Sequence, residues 1–395
     1  MSNNSIVIAG LTRTPQGNLL GELKELSATD LGAAVIESVI TKSHLSPHDI
    51  SEVIMGCVLP AGLGQAPARQ AALAAGLPQS TPCVTINKMC GSGMQAVIFA
   101  HDLLLARNND EIIIAGGMES MSNAPYLLPK ARQGYRLGHS QLIDHLFYDG
   151  LEDAYEKGRP MGYFAERTAN DYQLTREKQD QFATASLERA QKAIQEKLFS
   201  EEITPLQVTT RQGKKIIDTD EHPLSVDIKK IPQLSPVFMK EGTVTAANSS
   251  SISDGAAALL LMRAETAEKH GIKALARIIG HSTFAKAPND FSTAPIDAIQ
   301  KLLKKINWSI ETVDLFEINE AFAVVSLAAM HDLNIPHEKL NIHGGGCALG
   351  HPIGATGARI MVTLVHALKH YHLKRGIAAL CIGGGEATAI AVEIL

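Results

Sequence analysis

Short apolar runs alternate with segments of helical period in this chain, and the alternation occurs twice. Residues 5–9, 53–58, 84–86 and 112–115 read as strands, while 28–40, 66–75 and 94–106 place apolar residues three and four apart. Strand and helix in alternation define an α/β protein with a mainly parallel sheet. The pattern returns from residue 274: strand 274–279, helix 295–305, strand 313–318, a helix from 321, another over 355–370, and strand 377–382. Two short matches suggest a duplication. Ala115-Gly116-Gly117-Met118-Glu119 aligns with Ile382-Gly383-Gly384-Gly385-Glu386, and Ile50-Ser51-Glu52-Val53-Ile54-Met55 with Thr312-Val313-Asp314-Leu315-Phe316-Glu317.

Between the repeats, residues 120–245 are more charged and loop-rich, with a polar segment at 130–139, a long helix at 176–197 and a proline-spaced connection at 221–236. This stretch reads as an insertion, the kind of segment that carries ligand or subunit contacts on a rigid sheet. At 395 residues the chain exceeds what one hydrophobic core usually fills.

Charge narrows the functions available. A net charge of -5 without a block of either sign gives no footprint for nucleic acid. No apolar run approaches membrane-spanning length. Five cysteines without a repeated spacing do not make a disulfide framework, and the first residues lack the features of a secretory signal, so a cytoplasmic, reducing setting is expected.

Four glycine-rich or strand-end motifs carry candidate chemistry. In Asn87-Lys88-Met89-Cys90-Gly91-Ser92-Gly93 an extended stretch gives way to a helix, so Cys90 stands at a helix N-terminus, where backbone N–H groups favour thiolate. A small buried cysteine is the plainer reading of that residue alone. His351, in Gly350-His351-Pro352-Ile353-Gly354-Ala355-Thr356-Gly357, sits in a tight loop entering a helix; a neutral imidazole there could take a proton from Cys90. Cys381 follows an apolar strand and precedes Gly383-Gly384-Gly385, a place suited to an oxyanion site or to plain core packing. Asn319, in Asn319-Glu320-Ala321-Phe322-Ala323, could cap the next helix, yet it lies at the strand edge where α/β sheets place ligands. No Cys-x-x-Cys spacing supports a metal site.

Together these motifs resemble the thiolase family over the whole chain, in family order. The resemblance implies a layered αβαβα fold from two duplicated mixed-sheet halves, residues 1–119 with 246–272 and 273–395, with 120–245 as an inserted loop domain. It implies that Cys90 is the acylated nucleophile, that His351 activates it and that Cys381 moves the proton at the reacting carbon. Asn319 would hold a water that forms one oxyanion hole with His351, and the N–H groups of Cys90 and Gly383 would form the other. Ser250 matches a serine that meets the pantetheine arm of coenzyme A, while Met161, Phe238, Ala321 and Phe322 match the acyl pocket.

The implied reaction is reversible joining of two acetyl-CoA to acetoacetyl-CoA and CoA, with no cofactor besides the CoA thioesters and no metal. Degradative 3-ketoacyl-CoA thiolases share the four motifs, and a thiolase-like protein that binds acyl-CoA without turnover is a third reading. The segment 124–150 resembles the loop that joins dimers into tetramers, so a homotetramer, or at least a dimer, is expected. Three positions depart from the family pattern: Pro160 before Met161, Leu224 after Asp220-Glu221-His222-Pro223, and Glu386 behind Cys381.

Overall fold

The computed structural model describes residues 5–107, 110–210 and 213–395. The first repeat folds as β1 (Ile6–Arg13), α1 (Ala28–Lys42), β2 (Glu52–Gly56), α2 (Pro67–Ala74), β3 (Cys83–Ile86), α3 (Ser92–Arg107) and β4 (Ile112–Ser120). The insertion contributes α4 (Met161–Asp171) and α5 (Arg176–Gln195). After it come β5 (Ser253–Arg263), β6 (Ala276–Ala285), α6 (Ala294–Ile306), β7 (Leu315–Ile318), α7 (Ala323–Leu333), α8 (Thr356–His370), β8 (Arg375–Ile382) and β9 (Glu386–Ile394). Local chemistry marks the helix ends. Ser27 and Asp30 close a capping box on α1, Thr175 caps α5, and α6 and α7 stop at Asn307 and Asn334 in the left-handed conformation that asparagine tolerates.

The strands form one sheet in the order β7-β8-β9-β6-β1-β5-β4-β2-β3, to which the two-residue strand Gly17–Asn18 adds at β5. Within the first half β2 runs parallel to β4, β4 antiparallel to β5 and β5 antiparallel to β1; in the second, β7, β8, β9 and β6 repeat that series. The expectation of a mainly parallel sheet therefore fails. Long apolar strands β5 and β9 run back through each half, so antiparallel pairings outnumber parallel ones. Among the described residues, the sheets of the two halves join at β1 and β6 through two residue pairs, Val7 with Arg277 and Ile8 with Ala276.

Register supports the duplication while moving one of its matches by a residue and breaking the other. Glu52 pairs with Ile113 as Leu315 pairs with Gly376, the same sequence separation in each half. On that register the glycine runs are not equivalent. Gly116 and Gly117 lie inside β4, whereas Gly384 and Gly385 take positive φ in the turn after β8.

Alternate faces of the strands feed different cores, as the pleat requires. Ala257, Leu259 and Leu261 of β5 face α3 and α8, while Ala256, Ala258, Leu260 and Met262 face α1 and α2. Across the central helices, Ala378 and Leu380 of β8 complete the same middle core; Ile377, Ala379 and Cys381 face outward onto α6 and α7. The result is five layers, helix-sheet-helix-sheet-helix, with α3 and α8 in the middle. With the residues just before it, α3 is long and apolar enough to cross a membrane, but that apolarity faces the middle core. Insertion residues Phe164, Ala165 and Phe182 join the outer core of the second half, while Leu187, Ala190 and Ala193 of α5 pack with Phe199, Ile203 and Ile231 in a smaller cluster closed by Ala348 and Leu349.

Candidate active site

Helices α3 and α8 approach backbone to backbone at their N-termini. A Cβ added at Gly93 would press on Ala358 N and Gly354 O, one at Gly357 would collide with Met94, and one at Gly117 would collide with Gly354 O. This contact brings the loops before both helices together. Cys90 lies just ahead of α3, after Met89 at φ +48°, an uncommon conformation for a side chain of that size. Local bonds hold the turn: Met89 N–H donates to Asn87 Oδ1 at 2.9 Å, Lys88 N–H to Ser92 Oγ at 2.8 Å, and Ser92 Oγ–H to Met89 O at 2.7 Å.

The backbone N–H groups of Gly383 and of Cys90 itself reach the Cys90 sulfur and favour its thiolate, yet burial outweighs them and raises the pKa of the thiol. The expected thiolate is thus overturned for the resting site. Cys381 is pushed up further, first by burial and then by the neighbouring Cys90. Both thiols therefore rest uncharged, close to one another.

His351 is held in one tautomer. Thr356 Oγ1–H donates to Pro352 O at 2.9 Å, so its oxygen accepts from His351 Nδ1–H at 2.7 Å. The free lone pair is then on Nε2, which lies 3.5 Å from Asn319 Nδ2. Burial, with a smaller push from Arg359, lowers the pKa of His351 to about 3. The imidazole is a neutral proton acceptor aimed at the site. Asn319 follows β7, and its Oδ1 is buried with no hydrogen-bond partner.

Two buried glutamates missed from the sequence hold these loops. Glu119 ends β4 and accepts N–H bonds from Val58 (3.0 Å), Leu59 (3.1 Å) and Gly354 (2.8 Å), tying the loop after β2 to the His351 loop. Burial raises its pKa to about 7 despite those donors. Glu320, next to Asn319, accepts from Ser186 Oγ at 2.7 Å, Asn341 Nδ2 at 2.7 Å and Cys347 N–H at 3.1 Å. Their signal was present as acidic residues embedded in apolar motifs, where a carboxylate persists only when fully hydrogen-bonded.

Cys90 and His351 open onto a cavity of about 800 Å³, within the range for small-molecule sites. Gly383, Ser250, Met161, Phe238, Ala321 and Phe322 line it too, whereas Cys381 and Asn319 lie behind its wall. Phe238 packs edge-on against Phe322 at 5.9 Å between ring centres, and Gly162 leaves room for the Phe238 ring. Ser250 is pinned to Ala321 O by both its N–H (2.9 Å) and its hydroxyl (3.0 Å). Sequence reasoning passed over Phe147, Tyr148, Leu151 and Tyr155 of the insertion, which have no motif and enter the wall through tertiary folding.

The three departures have distinct fates. Pro160 lines the cavity; Leu224 is exposed; Glu386 pairs with Lys88 Nζ across the two cysteine loops. That ion pair takes up the carboxylate expected to bear on Cys381.

Paired thiols, a fixed neutral imidazole and converging N–H donors, on a duplicated five-layer α/β frame, define an acyl-transfer site of the thiolase type. The family models agree: residues 6–265 match the thiolase N-terminal domain and 272–394 the thiolase C-terminal domain, and the chain belongs to the thiolase family. It is 45% identical to an acetyl-CoA acetyltransferase of Schizosaccharomyces pombe over 395 residues, all of both chains. With one from Pseudomonas aeruginosa it shares 46% identity over 98% of each. Among solved structures it is similar to the Bacillus anthracis acetyl-CoA acetyltransferase, with TM-score 0.96 and 40% identity over 99% of each chain. An Ascaris suum thiolase in complex with coenzyme A gives TM-score 0.93 and 41% identity, over 99% of this chain and 100% of that one.

Proposed function

We propose that this thiolase joins two acetyl-CoA into acetoacetyl-CoA and CoA, and cleaves acetoacetyl-CoA in the reverse direction. One observation carries the reading: Cys90, His351 and Gly383 share a cavity with the Met161, Phe238 and Phe322 side chains. Full-length relatives named acetyl-CoA acetyltransferase add to it.

The side chains divide the work. His351 Nε2 takes the Cys90 proton as the sulfur attacks the thioester carbonyl, whose oxygen is met by the N–H groups of Cys90 and Gly383. The departing CoA sulfur takes its proton from Cys381, which its raised pKa keeps protonated until that step. An imidazolium and a thiolate remain, and their opposite charges offset each other in the buried site. The Cys381 thiolate then removes a Cα proton from the second acetyl-CoA. The enolate oxygen is held by His351 and by a water on Asn319, whose unpartnered Oδ1 leaves a hydrogen bond to make. Its carbon attacks the acetyl group, and His351 returns a proton to the leaving Cys90 sulfur.

Chain length tests the substrate. Thiolysis of acetoacetyl-CoA should exceed that of an eight-carbon 3-ketoacyl-CoA, and the opposite order would assign the broader degradative activity. Relatives of Staphylococcus aureus named probable acetyl-CoA acyltransferase, 43% identical, keep that second reading in view. A protein that binds without turnover would show no acetyl adduct on Cys90 by mass spectrometry after mixing with acetyl-CoA.

We also propose a cytoplasmic homotetramer built from dimers. Among the described residues, edge strand β3 has only β2 as a neighbour and exposes Val84, which suits pairing with a second copy. The exposed segment 130–139, with Leu137 wholly in solvent, suits the contact between dimers. Light scattering checks the mass.

A further inference from the structure

Away from the catalytic cavity, two imidazoles and a carboxylate converge where the halves of the molecule meet. His101 and Asp102 are neighbours on α3, and His281 projects from β6. His101 Nδ1 lies 3.0 Å from Asp102 Oδ1, His281 Nε2 lies 2.9 Å from that same oxygen, and the three atoms fall within 4.8 Å of one another. The rings stand at 83° with centres 5.2 Å apart, so they meet edge to face and do not stack. We propose that His101, Asp102 and His281 form a binding site for one divalent cation of the zinc, cobalt and nickel class.

Geometry, donor type and access each support this assignment. A tetrahedral zinc ion with bonds of about 2.0–2.2 Å sets its ligand atoms roughly 3.3–3.5 Å apart. The two nitrogen–oxygen edges here need to open by only a few tenths of an ångström, and the nitrogen–nitrogen edge to close. Each neutral imidazole binds through a ring-nitrogen lone pair, its proton resting on the other nitrogen, so no oxidant or reductant enters. The His101 and His281 side chains are 11% and 15% exposed and Asp102 52%, which walls the site on the protein side and leaves it open to water on the other.

Charge selects among ions. Lys305 donates from Nζ to His281 O at 3.1 Å, placing a positive charge near His101 as well. Little net negative field remains for calcium or magnesium, which prefer oxygen ligands, so attraction rests on nitrogen donation to a borderline metal. An ion here would link α3 of the first half to β6 of the second, beside the seam where the sheet continues through two residue pairs.

Titration of the chelator-stripped, purified enzyme with Co²⁺ and Zn²⁺ tests this site. The wild-type protein should bind one ion per chain, the Co²⁺ spectrum should lack a thiolate charge-transfer band, and Zn²⁺ should raise the unfolding midpoint. His281→Asn and Asp102→Asn should each weaken binding at least about tenfold, the scale seen on losing mere supporting contacts to a metal ligand. Both variants should fold and keep the metal-free thiolase activity, because neither residue touches the cavity. Binding unchanged in both variants, a thiolate band that places the ion on Cys90 or Cys381, or no binding at millimolar metal would overturn the proposal.

Discussion

The two halves share strand order, pair direction and register, yet they present their thiols differently. The first sets Cys90 in a strained turn ahead of a helix, with N–H groups aimed at the sulfur and an opening to the cavity. The second sets Cys381 within the last turns of a buried strand, behind the glycine loop. On the proposed mechanism, a duplicated frame has yielded one thiol that attacks and one that exchanges protons. Symmetry of fold does not carry symmetry of chemistry.

Replacing each thiol in turn breaks the comparison most directly. Cys90→Ala should abolish the acetyl adduct and all turnover. Cys381→Ala should still acquire an acetyl group on Cys90, slowly, while carbon–carbon bond making falls by about 10²–10⁴, the range for losing a positioned acid or base. Equal loss of acylation in both variants, measured by intact-protein mass spectrometry, would remove the division of labour.

Each half also supports its loops with a buried glutamate. Glu119 accepts three backbone N–H groups from two loops, whereas two of the three donors to Glu320 are side chains. Glu119→Ala should therefore cost more stability. Leaving three buried amides unpaired, at about 1–3 kcal/mol each, predicts a loss of more than about 3 kcal/mol in urea unfolding. Ser186 and Asn341 can turn toward other partners when Glu320→Ala is made. A larger loss at Glu320 would reverse this ordering.

Much of this was legible in the sequence, and the failures have physical causes. Glycine and proline fix backbone shape locally, so the loops around Cys90, His351 and Cys381 could be read from residue order alone. The direction of β5 and β9 could not, because a buried apolar run reads alike whether parallel or antiparallel. Burial misled the reading of Cys90: the helix N-terminus was visible, but the desolvation that raises its pKa is tertiary. Glu119 and Glu320 were missed because a carboxylate in an apolar motif reveals its donors only in three dimensions. The cavity wall from Phe147 to Tyr155 carries no motif for the same reason.

Two buried groups, one in each half, titrate with opposite sign. Glu119 of the first has its pKa raised to about 7, so its contribution is fully present below the unfolded value near 4.5 and is lost as pH rises through 7. His366 of the second, on α8, is lowered to about 3 by burial and has no partner at Nε2. The unfolded chain protonates it near pH 6.5 while the folded chain does not, so stability falls with decreasing pH between 6.5 and 3, by up to about 1.4 kcal/mol per pH unit. His366→Met should flatten that slope by about one proton and raise the urea midpoint at pH 5 more than at pH 7. An unchanged slope would show that His366 takes up its proton in the folded state.

The smallest expected effect lies where the halves share the cavity. Ser250, in the first half just past the insertion, is tied to Ala321 of the second half by two bonds to one carbonyl, and Ser250→Ala removes only the hydroxyl. The N–H bond keeps the loop in place, so chemistry at Cys90 should persist. What is lost is one polar contact of about 0.5–1.5 kcal/mol with the arm of the CoA substrate, a rise of roughly two- to tenfold in the KM for CoA during thiolysis with kcat nearly unchanged. A fall in kcat with KM constant would move Ser250 from holding the substrate to shaping the catalytic loops. The contact between the halves would then serve the reaction itself.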